Sequence, residues 1–519
     1  MPHNGFGDRQ QVLLSEAPAA PPLNLLFEIA FATPDLGRMR TYLLAHNVAV
    51  SPLARDINSV AYFSLRDPEG NHIAFVQLHP LTETGLERIA AKARCEPKLR
   101  FTSLAHHITK ERVWENLCQI PKDSAPGVDG QTVAEAKESF GDWIDAMLQS
   151  VHRQGYQAPS IRRVYIPKPG KQEKRPLGVP CVADRAFQRS AAQVVSAIYE
   201  QDFLPCLFGG RPGRSAHQGL ATLYELIAGR QVEWVLEADL KNFFGSWSHE
   251  WMLRFVEHRV GDPRLISLIR RWLKASILED EELHPNEEGT PQGGSISGLL
   301  SNVYLHYVLD LWFERVVKPR LRGEAYLVRY IDDFVMCFQY RSDAVRVQAA
   351  MCKRLKRFCL TLEPSKTKLV EFGRFAQKHA GKRGRKRPET IYLLGFTLYC
   401  TRNQKGNFRV GMRTEKTRLR RALQRLQDLM RRIRHLPVRE QVDNLNSVLR
   451  GHYAYYGIAG NLRALQKVYR HVLHYWHKML CSRKGKIRWK VFQRLQERFP
   501  FLRPKLYLAY RELQATALL

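Results

Sequence analysis

Leu327–Met336 reads LVRYIDDFVM, and two adjacent aspartates, Asp332 and Asp333, interrupt an otherwise apolar run. Tyr330, Ile331, Phe334 and Val335 are residues that strands favour. An unpaired carboxylate is costly to bury in such surroundings, and two side by side raise each other's pKa. Either the pair caps an exposed tight turn between two strands, or basic side chains or bound cations neutralise it.

Upstream, WVLEADLKNFFGSWSHEWM (Trp234–Met252) reads as a strand over Val235–Ala238 that closes at Asp239, and HEWMLRFVEHRV (His249–Val260) as a helix. If that strand lies beside the one from Leu327, Asp239 faces Asp332. Three converging carboxylates would hold two divalent cations about 4 Å apart, the arrangement phosphoryl transfer needs. Mg²⁺ suits such hard oxygen ligands, with Mn²⁺ as the alternative. Acids at strand ends also occur in unrelated nucleases, so more segments are needed.

RRVYIPKPGKQEKRPLGVP (Arg162–Pro180) places Lys168, Lys171, Lys174 and Arg175 around a hairpin, either an exposed basic turn or a flap over a triphosphate. FGGRPGRSAHQGL (Phe208–Leu220) sets Arg211 and Arg214 just before a helix, where guanidinium forks and amides can hold phosphates. GTPQGGSISGLLSNVYLHYVLD (Gly289–Asp310) is a glycine-rich turn entering an apolar helix. There Gly293 and Gly294 permit close backbone approach, and Gln292 is placed to touch a nucleotide or template base.

The 519 residues carry 81 Lys+Arg against 50 Asp+Glu, a formal net charge of +31. Such a field attracts polyanions, either nucleic acid or an anionic membrane. No apolar run is long enough to span a bilayer, and MPHNGFGDRQ lacks the pattern of a secretory signal. The nine cysteines show no C-x-x-C spacing, which argues against zinc fingers and disulfide frameworks. A cytoplasmic protein with reduced thiols is expected.

Residues 1–22 read as a flexible N-terminus. Residues 23–80 read as a small α+β appendage: strand LLFEIAF, helix PDLGRMRTYLLAHNV, then strands VAYFSLRD and HIAFVQL about the turn PEGN. Residues 81–160 look helical around the loop PKDSAPGVDGQT, and 161–400 mix helices and strands. Residues 401–519 look basic and helical. Leu419, Leu423, Leu426, Met430 and Ile433 recur at helical spacing there, with arginines on the other face. That face is either a solvated side or a surface that tracks a phosphate backbone.

Two resemblances follow. DPEGNHIAFVQ (Asp67–Gln77) resembles the end of one β-α-β-β-β module of the glyoxalase/vicinal-oxygen-chelate superfamily. The position where that family carries a metal-binding Glu is Ala74, so no metal chemistry is expected there. The family pairs two modules, and a single one invites a homodimer. The rest of the chain, roughly 100–510, resembles the reverse transcriptases of the bacterial group II intron class. The matching blocks are IPKPGKQEKRPLGVP, FGGRPGRS, LEADLKNFF, GTPQGGSISGLLSN, YIDD, LEPSKTKLVEFG and LLGF, with SAPGVDGQTV upstream and LNSVLRGHYAYYG downstream.

This second resemblance implies an α+β right-hand polymerase with fingers, palm and a helical maturase-type thumb. It implies dNTP addition to a primer 3′-OH on RNA and DNA template–primers. Asp239, Asp332 and Asp333 are similar to the family's catalytic acids, and the Leu240 carbonyl would complete a metal shell with Asp239 and Asp332. Lys168 and Arg175 look like the residues that grip the triphosphate, Gln292 lines the nucleotide pocket, and Lys366 matches a basic residue after the next helix. Phe244 stands where the family keeps an aromatic gate against a ribose 2′-OH; its plain alternative is a core ring beside Phe243. Tyr330 and Ile331 would touch the primer terminus. Arg211, Arg214, Arg418, Arg421, Arg425, Arg431 and Arg432 would bind nucleic acid.

Two departures from the family stand out: Ile331 replaces the usual Ala before the acids, and Gly210 replaces a usual Phe. With no His-Asn-His nuclease read after the thumb, homing by target cleavage is not expected. These features resemble free-standing relatives associated with DNA repair, such as end joining at short microhomologies. The alternatives are a maturase that binds a structured intron RNA and a strand-annealing scaffold.

Overall fold

The computed structural model describes residues 12–13, 29–33, 36–46, 48–52, 54–55, 61–66, 72–77, 85–167, 174–290, 293–485, 487–510 and 512. The chain divides into two compact units, residues 1–92 and 93–519.

In the first unit, strand Ile29–Thr33 and helix Leu36–Ala45 precede strands Ala54–Arg55, Ala61–Arg66 and His72–Gln77. The β-α-β-β-β succession expected over 23–80 is thus present from Ile29 onward. Ile29–Thr33 pairs parallel with His72–Gln77, which pairs antiparallel with Ala61–Arg66. Alternation of side chains turns Phe63 inward, where it is fully buried and stacks on Phe75 at 5.1 Å. The turn Pro68–Asn71 lies outside the described residues.

The second unit begins with helices Lys110–Cys118, Val133–Glu138 and Phe140–His152, on either side of the expected loop. Thr109 and Thr132 cap the first two through their side chains, the second as a full capping box with Glu135. A hairpin follows: Ile161–Pro167 pairs antiparallel with Lys174–Val179. The long helix Val182–Asp202 leads to a four-stranded sheet. Its order is Ala325–Tyr330, Asp333–Phe338, Trp234–Ala238, Lys368–Glu371, and all neighbours are antiparallel. The neighbour of the Asp239 strand is therefore Asp333–Phe338, the second arm of the hairpin, and not the arm from Leu327.

Val235, Val328, Val335 and Val370 point to one side of this sheet and share a core with Phe396, Leu398, Val410 and Met412. Those last four belong to the hairpin Phe396–Arg402/Phe408–Thr414. It crosses the boundary expected at residue 401, because the period-two alternation of FRVGMRT was hidden under its basic composition. Helices Lys416–Ile433, Val438–Tyr456 and Leu462–Lys484 then build a separate core around Leu426, Met430, Leu445, Leu449 and Trp476. Mixed helix and sheet in this order agrees with the expected α+β class.

Candidate active site

Tyr330 and Asp333 are paired across the hairpin, so Ile331 and Asp332 alone form its turn. Ile331 has φ of 58°. A two-residue hairpin loop needs positive φ at its first position, which normally selects glycine. A β-branched residue there is a backbone outlier, costing on the order of 1–3 kcal/mol unless its surroundings hold it. Both sequence readings of the acids meet here: they sit at a tight turn, and they are half-buried.

Asp239 directly follows Ala238, which faces Phe334. The register carries it toward the Asp332–Asp333 end of the hairpin. The Lys366 ammonium bonds the Asp239 carboxylate. The loop after Asp239 is pinned by Glu363 N–H donating to the Asp239 carbonyl at 2.8 Å and Lys241 N–H to the Thr361 carbonyl at 2.9 Å. This pairing takes the Asp239 carbonyl and leaves the Leu240 carbonyl out of it.

Burial pushes the Asp332 carboxyl above its ordinary range and the Asp239 charge adds to this, while its own backbone amide, Arg175 and Lys366 hold it down. Burial likewise raises Asp333 to about 6, reinforced by the Asp332 and Asp239 charges and opposed by the Leu394 amide and Arg418. Lys366 stands against the acids through its bond to Asp239. Burial pulls the Lys366 pKa down, but the bond to Asp239 and the charges of Asp239, Glu363 and Asp332 raise it overall.

Two carboxylates and a backbone carbonyl form a hard-oxygen donor set that fits Mg²⁺. Among the described residues no three acidic, His or Cys side chains close around an ion by themselves. Asp333 turns instead toward the Leu394 amide, 3.5 Å away.

Phe243 is buried and stacks on Trp247, whereas Phe244 is half-exposed. The ring free to meet a sugar is thus Phe244. Its carbonyl accepts from Thr290 N–H at 2.7 Å, and Gly289 packs so closely that a Cβ there would lie 2.4 Å from that oxygen. Gly293, at φ 136°, passes over the Gly178 carbonyl, where a Cβ would lie 2.3 Å away. The glycine-rich turn therefore rests directly on the hairpin that carries Arg175. Lys168, Lys171 and Gln292 lie outside the described residues.

Arg211 is turned inward. Its guanidinium bonds Glu200 at 2.9 Å and the carbonyls of Leu204, Leu207 and Glu200. The expectation that it binds nucleic acid is corrected: all its nitrogens serve the loop. Arg214 stands over the Phe208 ring at 5.8 Å. On the helix Lys416–Ile433, Arg418, Arg425, Arg431 and Arg432 are exposed and Arg421 is half-exposed, while Leu426, Met430 and Ile433 face the core. Arg418 packs on the Leu394–Gly395 turn, within 2.9 Å of where a Gly395 Cβ would stand.

Sequence reading missed several neighbours. Leu394 and Gly395 form a tight turn at positive φ (51° and 79°), and the Tyr455 hydroxyl donates to the Leu394 carbonyl at 2.8 Å. Glu237 lies one strand position before Ala238, with burial raising its pKa to about 7. Arg329, Asn302 and Asp310 are all fully buried near the Ile331 turn. A lone cation inside LVRY was the available signal, as costly to bury as the acids beside it.

Residues 166–398 match the model of the family described as reverse transcriptase (RNA-dependent DNA polymerase). The chain is 29% identical over 295 residues to Protein YkfC of Escherichia coli, covering 54% of this chain and 76% of that protein. It is 31% identical over 249 residues to the group II intron-encoded protein LtrA of Lactococcus lactis, covering 46% of this chain and 41% of LtrA. A 91 kDa protein in the cob intron of Schizosaccharomyces pombe is 34% identical over 175 residues, 34% of this chain and 21% of that protein.

Proposed function

We propose that this chain, which matches the reverse transcriptase family over residues 166–398 and resembles group II intron-encoded proteins, extends primer 3′ ends with dNTPs at the Asp239–Asp332 site, copying RNA and also DNA. The observation that carries this reading is the strand register that brings Asp239 to the Asp332–Asp333 turn, with Lys366 bonded to Asp239. Bound Mg²⁺ would lower the pKa of the primer hydroxyl and steady the departing pyrophosphate. Asp239, Asp332 and the Leu240 carbonyl would hold it. Arg175 and Lys366 would meet the negative charge of the triphosphate, and Phe244 would lie under the sugar. Asp333 keeps the turn in place through the Leu394 amide.

Ile331 supports a finer proposal. A branched side chain beside Asp332 would favour poorly paired primer ends, as end joining at short microhomologies needs. The intron-encoded relatives support a second reading, a maturase whose exposed thumb arginines bind a structured intron RNA. Here Asp332→Ala separates the two: retained splicing with lost DNA synthesis would favour the maturase. For the polymerase, Asp239→Ala and Asp332→Ala are expected to lower incorporation at least about 10³-fold, with template–primer affinity within about twofold. Near-normal incorporation at saturating Mg²⁺ in either variant would overturn the assignment.

A further inference from the structure

Arg329 has no solvent exposure and neither has its partner Asp310. Its Nε donates to Asp310 Oδ1 at 2.7 Å, and Nη2 bonds the second carboxylate oxygen. The remaining nitrogen, Nη1, donates to the Ile331 carbonyl at 2.8 Å and to Asn302 Oδ1 at 3.2 Å. Asn302 in turn donates from Nδ2 to the Gly209 carbonyl at 2.8 Å. A chain of polar groups with fully buried side chains therefore runs from Asp310 through Arg329 to the carbonyl of the residue just before Asp332, and through Asn302 to the FGG segment.

The elements behind this chain are shaped for it. Asp310 ends the wide turn His306–Asp310, where the helix from Ser297 loosens to π geometry. Such turns gather at functional positions because they redirect a side chain. The Arg329 backbone is fixed on both sides: its amide donates to the Cys206 carbonyl at 2.8 Å, and its carbonyl accepts from Phe208 N–H at 2.9 Å. Gly209 lies so close to the hairpin turn that a Cβ would meet the Ile331 amide nitrogen at 2.6 Å. The strained Ile331 backbone is thus gripped by the guanidinium at its carbonyl and by the FGG segment at its amide.

We infer that Arg329, oriented by Asp310 and Asn302, is a positioning residue that sets the Ile331 peptide and through it the place of the Asp332 carboxylate for metal binding. The inference rests on the polymerase reading. A buried ion pair is a poor stabiliser compared with apolar residues of similar volume. Retaining one that aims its spare donor at this peptide gives it a purpose other than stability.

The test uses the full chain with both partners exchanged, Arg329→Met/Asp310→Leu, so that no charge is left buried alone. Thermal unfolding reports the fold, and the EPR signal of free Mn²⁺, used as the probe ion, reports metal binding without turnover. The expected result is a melting temperature near that of the parent, Mn²⁺ affinity at least fivefold weaker, and kcat at least tenfold lower with unchanged template–primer affinity. A folded double variant whose Mn²⁺ affinity and kcat stay within twofold of the parent overturns the inference. Should the double variant fail to fold, Asn302→Ala, which keeps the ion pair, carries the same measurements. Parent-like Mn²⁺ affinity in folded Asn302→Ala then overturns it. A parent protein that neither binds Mn²⁺ nor extends primers would defeat the polymerase reading instead.

Discussion

Ile331 and the glycines facing it are a matched set. Its Cγ1 lies 2.9 Å from where a Gly209 Cβ would stand, and its Cδ1 lies 3.9 Å from that of Gly210. The close approach is at Gly209, where a side chain would crowd Ile331; a Cβ at Gly210 would only touch it. Ile331→Ala is expected to keep the fold, because Ala loses χ1 stiffness and bulk at an already held turn. It should shift kcat/KM toward long-paired primers and away from primers with a few paired bases. An unchanged ratio between those substrates would make Ile331 packing alone. Phe244→Ala is expected to admit ribonucleotides at least about tenfold more readily, since Phe243 and Trp247 already fill the core behind it. Unchanged sugar discrimination would return Phe244 to a structural role. At this scale the acids were legible because carboxylates in an apolar run demand a use. The left-handed φ of Ile331 was not, because sequence rules look for glycine at such a turn.

Among the elements, the joints between helices and strands carry much of the fold. Asp262 is fully buried and caps helix Pro263–Leu273, with Pro263 at its first position. Its carboxylate accepts from Leu104 N–H at 2.7 Å, Ala105 N–H at 2.8 Å and Arg264 N–H at 3.0 Å. It thereby ties the segment at Leu104–Ala105 to the start of this helix. Burial would raise its pKa, but bonds from the Arg264 side chain and these three amides outweigh it and lower the pKa. A carboxyl lowered on folding contributes stability that is present above its unfolded pKa, about 4. That stability is lost as pH falls through the folded value. Asp262→Ala is expected to cost about 3 kcal/mol near neutral pH, by urea unfolding of the second unit's signal, with the gap from the parent narrowing below about pH 4. A gap that stays constant down to acid pH would show that charge plays no part. The amphipathic helix Lys416–Ile433 was readable from its apolar spacing. The Asp262 clasp was not, because its partners lie 157 and 158 residues away in sequence.

For the whole molecule, the net charge of +31 is the feature with the longest reach. It acts through surfaces rather than through the site. Among the described residues no helix is long and apolar enough to cross a membrane, and the helix Lys416–Ile433 presents its arginines beside an apolar core. Template–primer affinity is expected to fall steeply with salt, as counterions released by phosphate contacts require. Charge reversal at Arg425, Arg431 and Arg432 together should flatten the slope of log affinity against log salt by about two to three units. An unchanged slope would leave these arginines as a solvated face. The order of motifs made the polymerase architecture legible from sequence. The pairing of strands within the four-stranded sheet was not, because composition cannot say which arm of a hairpin a third strand will join. Primer extension by the purified chain on matched RNA and DNA templates tests template-directed DNA synthesis. The expected result is Mg²⁺-dependent extension with dNTPs on both templates that disappears in Asp332→Ala. Extension that survives in Asp332→Ala, or no extension by the folded parent on either template, would contradict it.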